Sequence, residues 1–196
     1  MLSAFQETKL RMFFDLLDYD KNGFVEYEDF ESIGENMCMM LQFEVGEVEF
    51  SKIMYACNQM WKDLYEYVDQ NRDKKASVYE WLLYADERIV NCPKPTYNAY
   101  VQHMVDHLFI LFDRNKDDFI SVKEYLNLFM TFRLEARYSA RAFSRLDLNE
   151  DGLISRDELF KGTEEFFRSD DVKANGNWLF GPWERYVPRK VIPDQA

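Results

Sequence analysis

The chain has 196 residues and a formal net charge of −12, from 36 acidic and 24 basic side chains. This balance disfavours nucleic acids and anionic membranes as partners, because both carry charge of the same sign. Apolar residues make up 47% of the chain and aromatic residues 17%, so it can bury a sizeable core and is not a disordered segment.

The first residues, MLSAFQETKLRMFFDLLD, carry scattered charges and lack the apolar centre of a secretory signal. No apolar run approaches the roughly 18 residues that a membrane span needs. The three cysteines form no CxxC pair and no even set, which is typical of reduced thiols. We therefore expect a cytoplasmic protein with no stable membrane insertion.

Apolar residues recur at helical spacing and predict amphipathic helices that are separated by short polar segments. One helix precedes residue 18, another follows residue 29, and a long one ends at residue 68. After NCPKPTY (residues 91–97), whose prolines suggest a linker, another long helix reaches residue 112, and two more surround the last polar segment. Four polar segments resemble one another and predict a repeated helix–loop–helix unit; we call them loops I to IV, starting at Asp18, Asp69, Asp113 and Asp147.

Loop IV, DLNEDGLISRDE (residues 147–158), has side-chain oxygens at its first, third, fifth, ninth and twelfth positions. A hard cation such as Ca²⁺ takes roughly six to eight oxygen ligands, and a loop of this length can wrap around one. Gly152 at the sixth position supplies a left-handed turn, and the seventh residue offers its backbone carbonyl. The predicted metal ligands are Asp147, Asn149, Asp151, Leu153, Ser155 and Glu158.

Loop I, DYDKNGFVEYED (residues 18–29), follows the same pattern until its last position, where Asp29 replaces the glutamate. Its side chain is one methylene shorter, so holding an ion with both oxygens requires a tighter loop. Because Mg²⁺ prefers shorter distances than Ca²⁺, we expect a working site that also accepts Mg²⁺. The predicted ligands are Asp18, Asp20, Asn22, Phe24, Glu26 and Asp29.

Loop III, DRNKDDFISVKE (residues 113–124), keeps the oxygen positions but has Asp118 where loop IV has glycine. Aspartate enters the left-handed region at modest cost, so this loop is also predicted to bind. The predicted ligands are Asp113, Asn115, Asp117, Phe119, Ser121 and Glu124.

Loop II, DQNRDKKASVYE (residues 69–80), is the weakest candidate. Lys74 must take the left-handed conformation, at about 1–2 kcal/mol for an L-residue. Its three acids are balanced by three bases, whereas loops I and IV each carry a net −4 and loop III carries −1. The sequence leaves open whether metal binds here, since the ligand positions survive as Asp69, Asn71, Asp73, Lys75 (through its carbonyl), Ser77 and Glu80.

Four such loops on paired helices resemble the EF-hand arrangement. Within it, Asp29 closing loop I, WKDLYEYVDQNRD followed by EWL, and GNWLFGP near the C-terminus resemble the invertebrate sarcoplasmic calcium-binding proteins and the neuronal calexcitins. The resemblance covers nearly the whole chain. It implies an all-α fold in which two EF-hand pairs form a compact globule with a docked C-terminal segment. We expect the pairs at residues 1–92 and 93–170 and the tail at 171–196.

The aromatic core and apolar tail favour internal use of hydrophobic surface, as in a monomeric, non-enzymatic calcium buffer that barely opens on binding. A calexcitin-like sensor that engages a protein target is an alternative, because MCMML (residues 37–41) offers adaptable methionines, although these also lie at core spacing. A coelenterazine-binding photoprotein is another, since the aromatic residues and histidines could line a cavity. His103 and His107 share a helix face, as a zinc site requires, but with no third ligand in the pattern they are interpreted as ordinary, partly buried helix residues.

Overall fold

The structure is a computed structural model that describes residues 1–186, apart from the side chain of Tyr100. It is all-α, with helices α1 (Ala4–Leu17), α2 (Tyr27–Met40), α3 (Val48–Val68), α4 (Val78–Tyr84), α5 (Lys94–Phe112), α6 (Val122–Thr131), α7 (Ser139–Leu146) and α8 (Arg156–Arg168). A π-helix (Ala85–Val90) continues α4, and single 3₁₀ turns lie at Ala136–Tyr138, Asn175–Trp178 and Trp183–Arg185. No helix within residues 1–186 is both long enough and apolar enough to cross a lipid bilayer.

The loops lie between consecutive helices and are tied together in pairs by short antiparallel ladders. Strands β1 (Phe24–Val25) and β2 (Ala76–Ser77) join loops I and II. Strands β3 (Phe119–Ser121) and β4 (Leu153–Ser155) join loops III and IV. Ala76 pairs with Val25 although it is not β-branched, so the small side chain does not prevent the first ladder from forming.

Three of the four helices that leave a loop begin with the same capping arrangement. In α4, α6 and α8 the serine at the ninth loop position is the N-cap, and the closing glutamate stands three residues later. The serine Oγ accepts from the glutamate N–H, and the glutamate side chain accepts from the serine N–H, which satisfies donors that the helix itself leaves open. The closing acid therefore belongs to both the loop and the helix that follows it.

The core is built from aromatic rings contributed by distant parts of the chain. The Phe13 ring of α1 lies with its centroid 5.6 Å from Trp81 of α4, 5.2 Å from Phe167 of α8 and 5.2 Å from Phe180 of the C-terminal segment. Such offset and edge contacts add to the free energy of burying the rings. The N-terminal helix is thereby packed against both ends of the fold.

The C-terminal segment docks on the body as the sequence predicts, as far as it is described. Trp178, Leu179 and Phe180 are all buried. Lys9 of α1 is also buried, and its Nζ donates to the Ser169 carbonyl at 2.9 Å and to Asn177 Oδ1 at 2.8 Å. Burial lowers the pKa of Lys9 to about 8, although nearby acids favour its charged form. The rest of the predicted tail, residues 187–196, lies outside the described residues.

The proline-rich segment 91–97 differs from the linker that the sequence suggests. Helix α5 already begins at Lys94, with Pro93 as its N-cap and Pro95 in its first turn. Proline is tolerated there because the first N–H groups of a helix have no partner within it. Most of the supposed linker is therefore helical, and the division at residues 92 and 93 stays a prediction.

Candidate metal centres

Loop I brings three carboxylates together. Oxygen atoms of Asp18, Asp20 and Asp29 all lie within 4.8 Å of one another, and Asp18 and Asp29 are buried. Burial raises the pKa of Asp29 and the charge of Asp20 raises it further, while backbone N–H groups act in the opposite direction. Because like charges in a buried site are costly unless a cation offsets them, these residues fit a hard divalent ion.

Asp29 makes the loop-closing contacts that glutamate makes in the other loops. Its Oδ1 accepts from the N–H groups of Tyr19 at 2.8 Å and Asp20 at 3.2 Å, and its Oδ2 accepts from Glu26 N–H at 2.8 Å. In loop IV, Glu158 accepts from the corresponding positions, from Leu148 at 2.9 Å and from Ser155 at 2.8 Å. Asp29 therefore bonds to both ends of loop I although its side chain is shorter, as is expected if the loop is tighter.

The closing glutamates of loops III and IV are held in their charged form. Burial alone would raise the pKa of Glu124, but the Ser121 hydroxyl and N–H and two further backbone N–H groups together lower it. The same balance lowers the pKa of Glu158. Donors at both ends of each loop stabilise the carboxylate, which is the form that binds metal.

The other ligand positions are oriented by the loop backbone. In loop IV, Asp147 accepts from the Asp151 N–H at 3.1 Å and the Gly152 N–H at 2.9 Å, and Asn149 Oδ1 accepts from Asp151 N–H at 3.0 Å. Loop III repeats this pattern with Asp113 and Asn115. In loop I the N–H of the sixth residue, Gly23, likewise donates to Asp18. The seventh residues, Phe24, Phe119 and Leu153, start strands β1, β3 and β4.

Carboxylates converge less closely outside loop I. Within residues 1–186, no other three His, Cys, Asp or Glu side chains meet the 4.8 Å limit. In loops III and IV the third position is an asparagine, which replaces one charged ligand by an amide oxygen. His103 and His107 belong to no such group in this part of the chain.

Two positions in every loop require a left-handed backbone. The sixth residues, Gly23, Lys74, Asp118 and Gly152, have φ angles of 97°, 69°, 64° and 84°. The fourth residues are left-handed as well, with 68°, 64°, 61° and 59° for Lys21, Arg72, Lys116 and Glu150. Sequence reasoning identified the sixth position and missed the fourth, although an exposed charged residue recurs there in all four loops.

Loop II has the same backbone arrangement as its neighbours despite its altered composition. Glu80 accepts from Gln70 N–H at 3.2 Å and Ser77 N–H at 3.0 Å, and Asp69 accepts from Lys74 N–H at 2.9 Å. Lys75, at the seventh position, extends its ammonium to Glu26 of loop I, 3.0 Å away. That hydrogen bond raises the pKa of Lys75. The sequence did not reveal this bridge between the loops.

The second residues of loops I and III contact segments that lie far away in the sequence. Tyr19 is buried, its hydroxyl donates to the Thr131 carbonyl at 3.2 Å, and the Arg133 guanidinium lies 3.7 Å from its ring centroid. Arg114 of loop III lies 4.8 Å from the Phe43 ring, between α2 and α3. The sequence offered one indication of the Tyr19 contact, namely a large aromatic residue within an otherwise polar loop.

Comparison with known proteins gives three kinds of match. The family model described as EF hand matches residues 104–130 and 140–160. Sarcoplasmic calcium-binding proteins I, III and IV of Branchiostoma lanceolatum are 26% identical over 68% of this chain and 74% of their own length. Sarcoplasmic calcium-binding protein 1 of Astacus leptodactylus is 27% identical over 85% of this chain and 90% of its own.

The fold is also found among solved structures. The calcium-loaded apo form of a coelenterazine-binding protein from Renilla muelleri superposes with a TM-score of 0.71. The match covers 92% of this chain and 99% of the other, at 19% sequence identity. At that identity the likeness concerns the fold alone.

Proposed function

We propose that this EF-hand protein, which is similar in sequence to the sarcoplasmic calcium-binding proteins, binds Ca²⁺ through loops I, III and IV and buffers that ion inside the cell. The observation that supports the proposal most is the meeting of Asp18, Asp20 and Asp29 within 4.8 Å, two of them buried. A cation stabilises such a cluster, whereas an empty one carries uncompensated repulsion.

In each of these loops the ion would be held by side chains at the first, third, fifth, ninth and twelfth positions and by the carbonyl at the seventh. Asp29 gives loop I a shorter closing ligand than Glu124 and Glu158 give loops III and IV. Loop I is therefore the site at which Mg²⁺ should compete best with Ca²⁺.

Isothermal titration of the metal-free protein with Ca²⁺ tests this assignment. Asp29→Asn, Glu124→Gln and Glu158→Gln should each remove one equivalent of bound calcium, because each removes a charged closing ligand. Glu80→Gln is the matched control in loop II and should leave the stoichiometry unchanged. An unchanged stoichiometry in any of the first three variants would contradict the assignment for that loop.

The buffer role is supported by where the apolar surface lies. Met37 and Cys38 of the MCMML segment are buried, Met40 and Leu41 are half-buried, and Met39 alone in this segment is exposed. A sensor exposes a groove when calcium binds, whereas a buffer barely opens. Retention on a phenyl-bearing resin should therefore be the same with calcium and with chelator, and a calcium-dependent increase would favour the sensor.

A further inference from the structure

We propose that a cavity bounded by α1, α3, α5 and the π-helix binds a small aromatic molecule that carries one acidic group. The cavity has a volume of about 390 Å³, and small-molecule sites span roughly 300–1,000 Å³. Buried Phe13, Leu17 and Leu64 form its floor, while exposed Ala99 and Arg88 stand at its mouth. None of the residues that line the cavity is a predicted metal ligand.

Three aromatic residues that line the cavity, Phe13, Tyr67 and Tyr84, belong to one run of ring contacts. The Tyr67 and Tyr84 rings are nearly parallel, with an interplanar angle of 26° and centroids 6.4 Å apart. Trp81 is buried behind the lining residues, with its ring centroid 6.2 Å from that of Tyr84 and 5.6 Å from that of Phe13. Trp81 is fixed by its Nε1–H, which donates to the Leu10 carbonyl at 2.9 Å. A flat aromatic ligand can stack on this preformed wall at little entropic cost.

The charged groups around the mouth are distributed unevenly. Both acids, Asp63 and Glu66, lie on α3, and Asp63 faces His107 at 4.0 Å. Arg88 lies on the π-helix and His103 on α5. Arg88 makes no ion pair with any residue between 1 and 186. Its guanidinium is thus available to a carboxylate or sulfonate, for which it has the matching fork of donors.

The π-helix is the second feature that marks this wall as a site. The Asn91 N–H donates to the carbonyl of Asp86, five residues earlier, at 3.0 Å. Helices of this kind are rare and occur often at functional sites. Here the π-helix continues α4 directly, and both Tyr84 at their junction and Arg88 line the cavity.

Two fluorescent probes with nearly the same apolar body test the site: 1-anilinonaphthalene-8-sulfonate and the uncharged N-phenyl-1-naphthylamine. Each should bind the calcium-saturated protein once per chain. Ala99→Phe places a ring in the mouth from an exposed helix position and should weaken both probes at least about tenfold. Ile110→Phe, an exposed position on the same helix outside the cavity, is the matched control and should bind both probes normally.

Arg88→Gln tests how much the acidic group of the ligand contributes to binding, apart from its apolar body. It should weaken the sulfonate about fivefold and leave the naphthylamine unchanged, because the variant removes only a charge-assisted contact. Lys62→Gln removes an exposed charge on α3 outside the cavity and should affect neither probe. Probe binding that is insensitive to Ala99→Phe would overturn the site. An unchanged affinity ratio of the two probes in Arg88→Gln would overturn the acidic ligand.

Discussion

Loops I and II share one ladder and one backbone framework, yet they differ in net charge and in how closely their carboxylates converge. Both place a left-handed residue at the sixth position, and in both the closing acid accepts from the second and ninth N–H groups. Loop I carries a net charge of −4 and three converging carboxylates, whereas loop II is neutral. The shape of such a loop therefore tolerates substitution, and charge rather than shape distinguishes the two.

The two loops also differ in how they are connected to the rest of the molecule. Tyr19, the second residue of loop I, is buried against Thr131 and Arg133 near the end of α6. Gln70 occupies the same position of loop II and is exposed. Loop I is thus anchored in the opposite half of the molecule, while the start of loop II faces solvent.

Removal of calcium should have the largest effect, and it should act through loop I rather than loop II. At free calcium about a thousand times Kd, each filled site contributes about 4 kcal/mol. About 2–4 °C per kcal/mol is expected for a chain of this size. Calorimetry with calcium and with chelator should therefore differ by more than about 10 °C. Asp29→Asn should reduce that difference and Glu80→Gln should not; equal melting temperatures with and without chelator would contradict calcium binding.

Exchange of the second residues tests the anchoring of loop I. Tyr19→Gln gives loop I the residue of loop II and should destabilise the protein by about 3 kcal/mol in urea unfolding, since it empties a buried aromatic position. Gln70→Tyr is the reverse exchange at an exposed position and should change stability by less than about 0.5 kcal/mol. Similar losses in the two variants would show that the anchor is not specific to loop I.

The sixth position tests the strain in loop II. Lys74 has a φ of 69°, so Lys74→Gly should stabilise the chelated protein by about 1 kcal/mol, because relief of strain exceeds the entropy that glycine adds to the unfolded chain. Gly23→Lys makes the opposite exchange in loop I and should destabilise the protein by a similar amount. Urea unfolding measures both, and a loss of stability in Lys74→Gly would refute the strain.

The bridge between the loops should have the smallest effect. Lys75→Gln removes a positive charge from loop II and its partly exposed ion pair with Glu26, so the calcium affinity of loops I and II should rise by less than about threefold. The difference should shrink as salt is added, because solvent ions screen it. Lys52→Gln, whose partner Glu49 is on α3, is the control and should leave the calcium titration unchanged.

Much of the fold follows from patterns that can be counted along the chain. The predicted all-α fold with four helix–loop–helix units is confirmed, and so is the EF-hand resemblance. Spacing carries this information because ligand oxygens, the left-handed turn and the capping serine all stand at fixed offsets within one loop. The exact ligands remain a prediction, and the π-helix and the early start of α5 were not foreseen, since tertiary packing selects among local alternatives of similar energy.

The sequence by itself determined where the four loops lie, which of them carries no net charge, and which faces of the helices are apolar. Only the tertiary structure decided that Tyr19 contacts Arg133, that Lys75 reaches Glu26, and that Tyr67 and Arg88 border one cavity. The physical reason is the distance along the chain between the residues that interact. Loop geometry depends on backbone bonds among about a dozen neighbouring residues, whereas these contacts join residues far apart in the chain, and no local period encodes which of them meet.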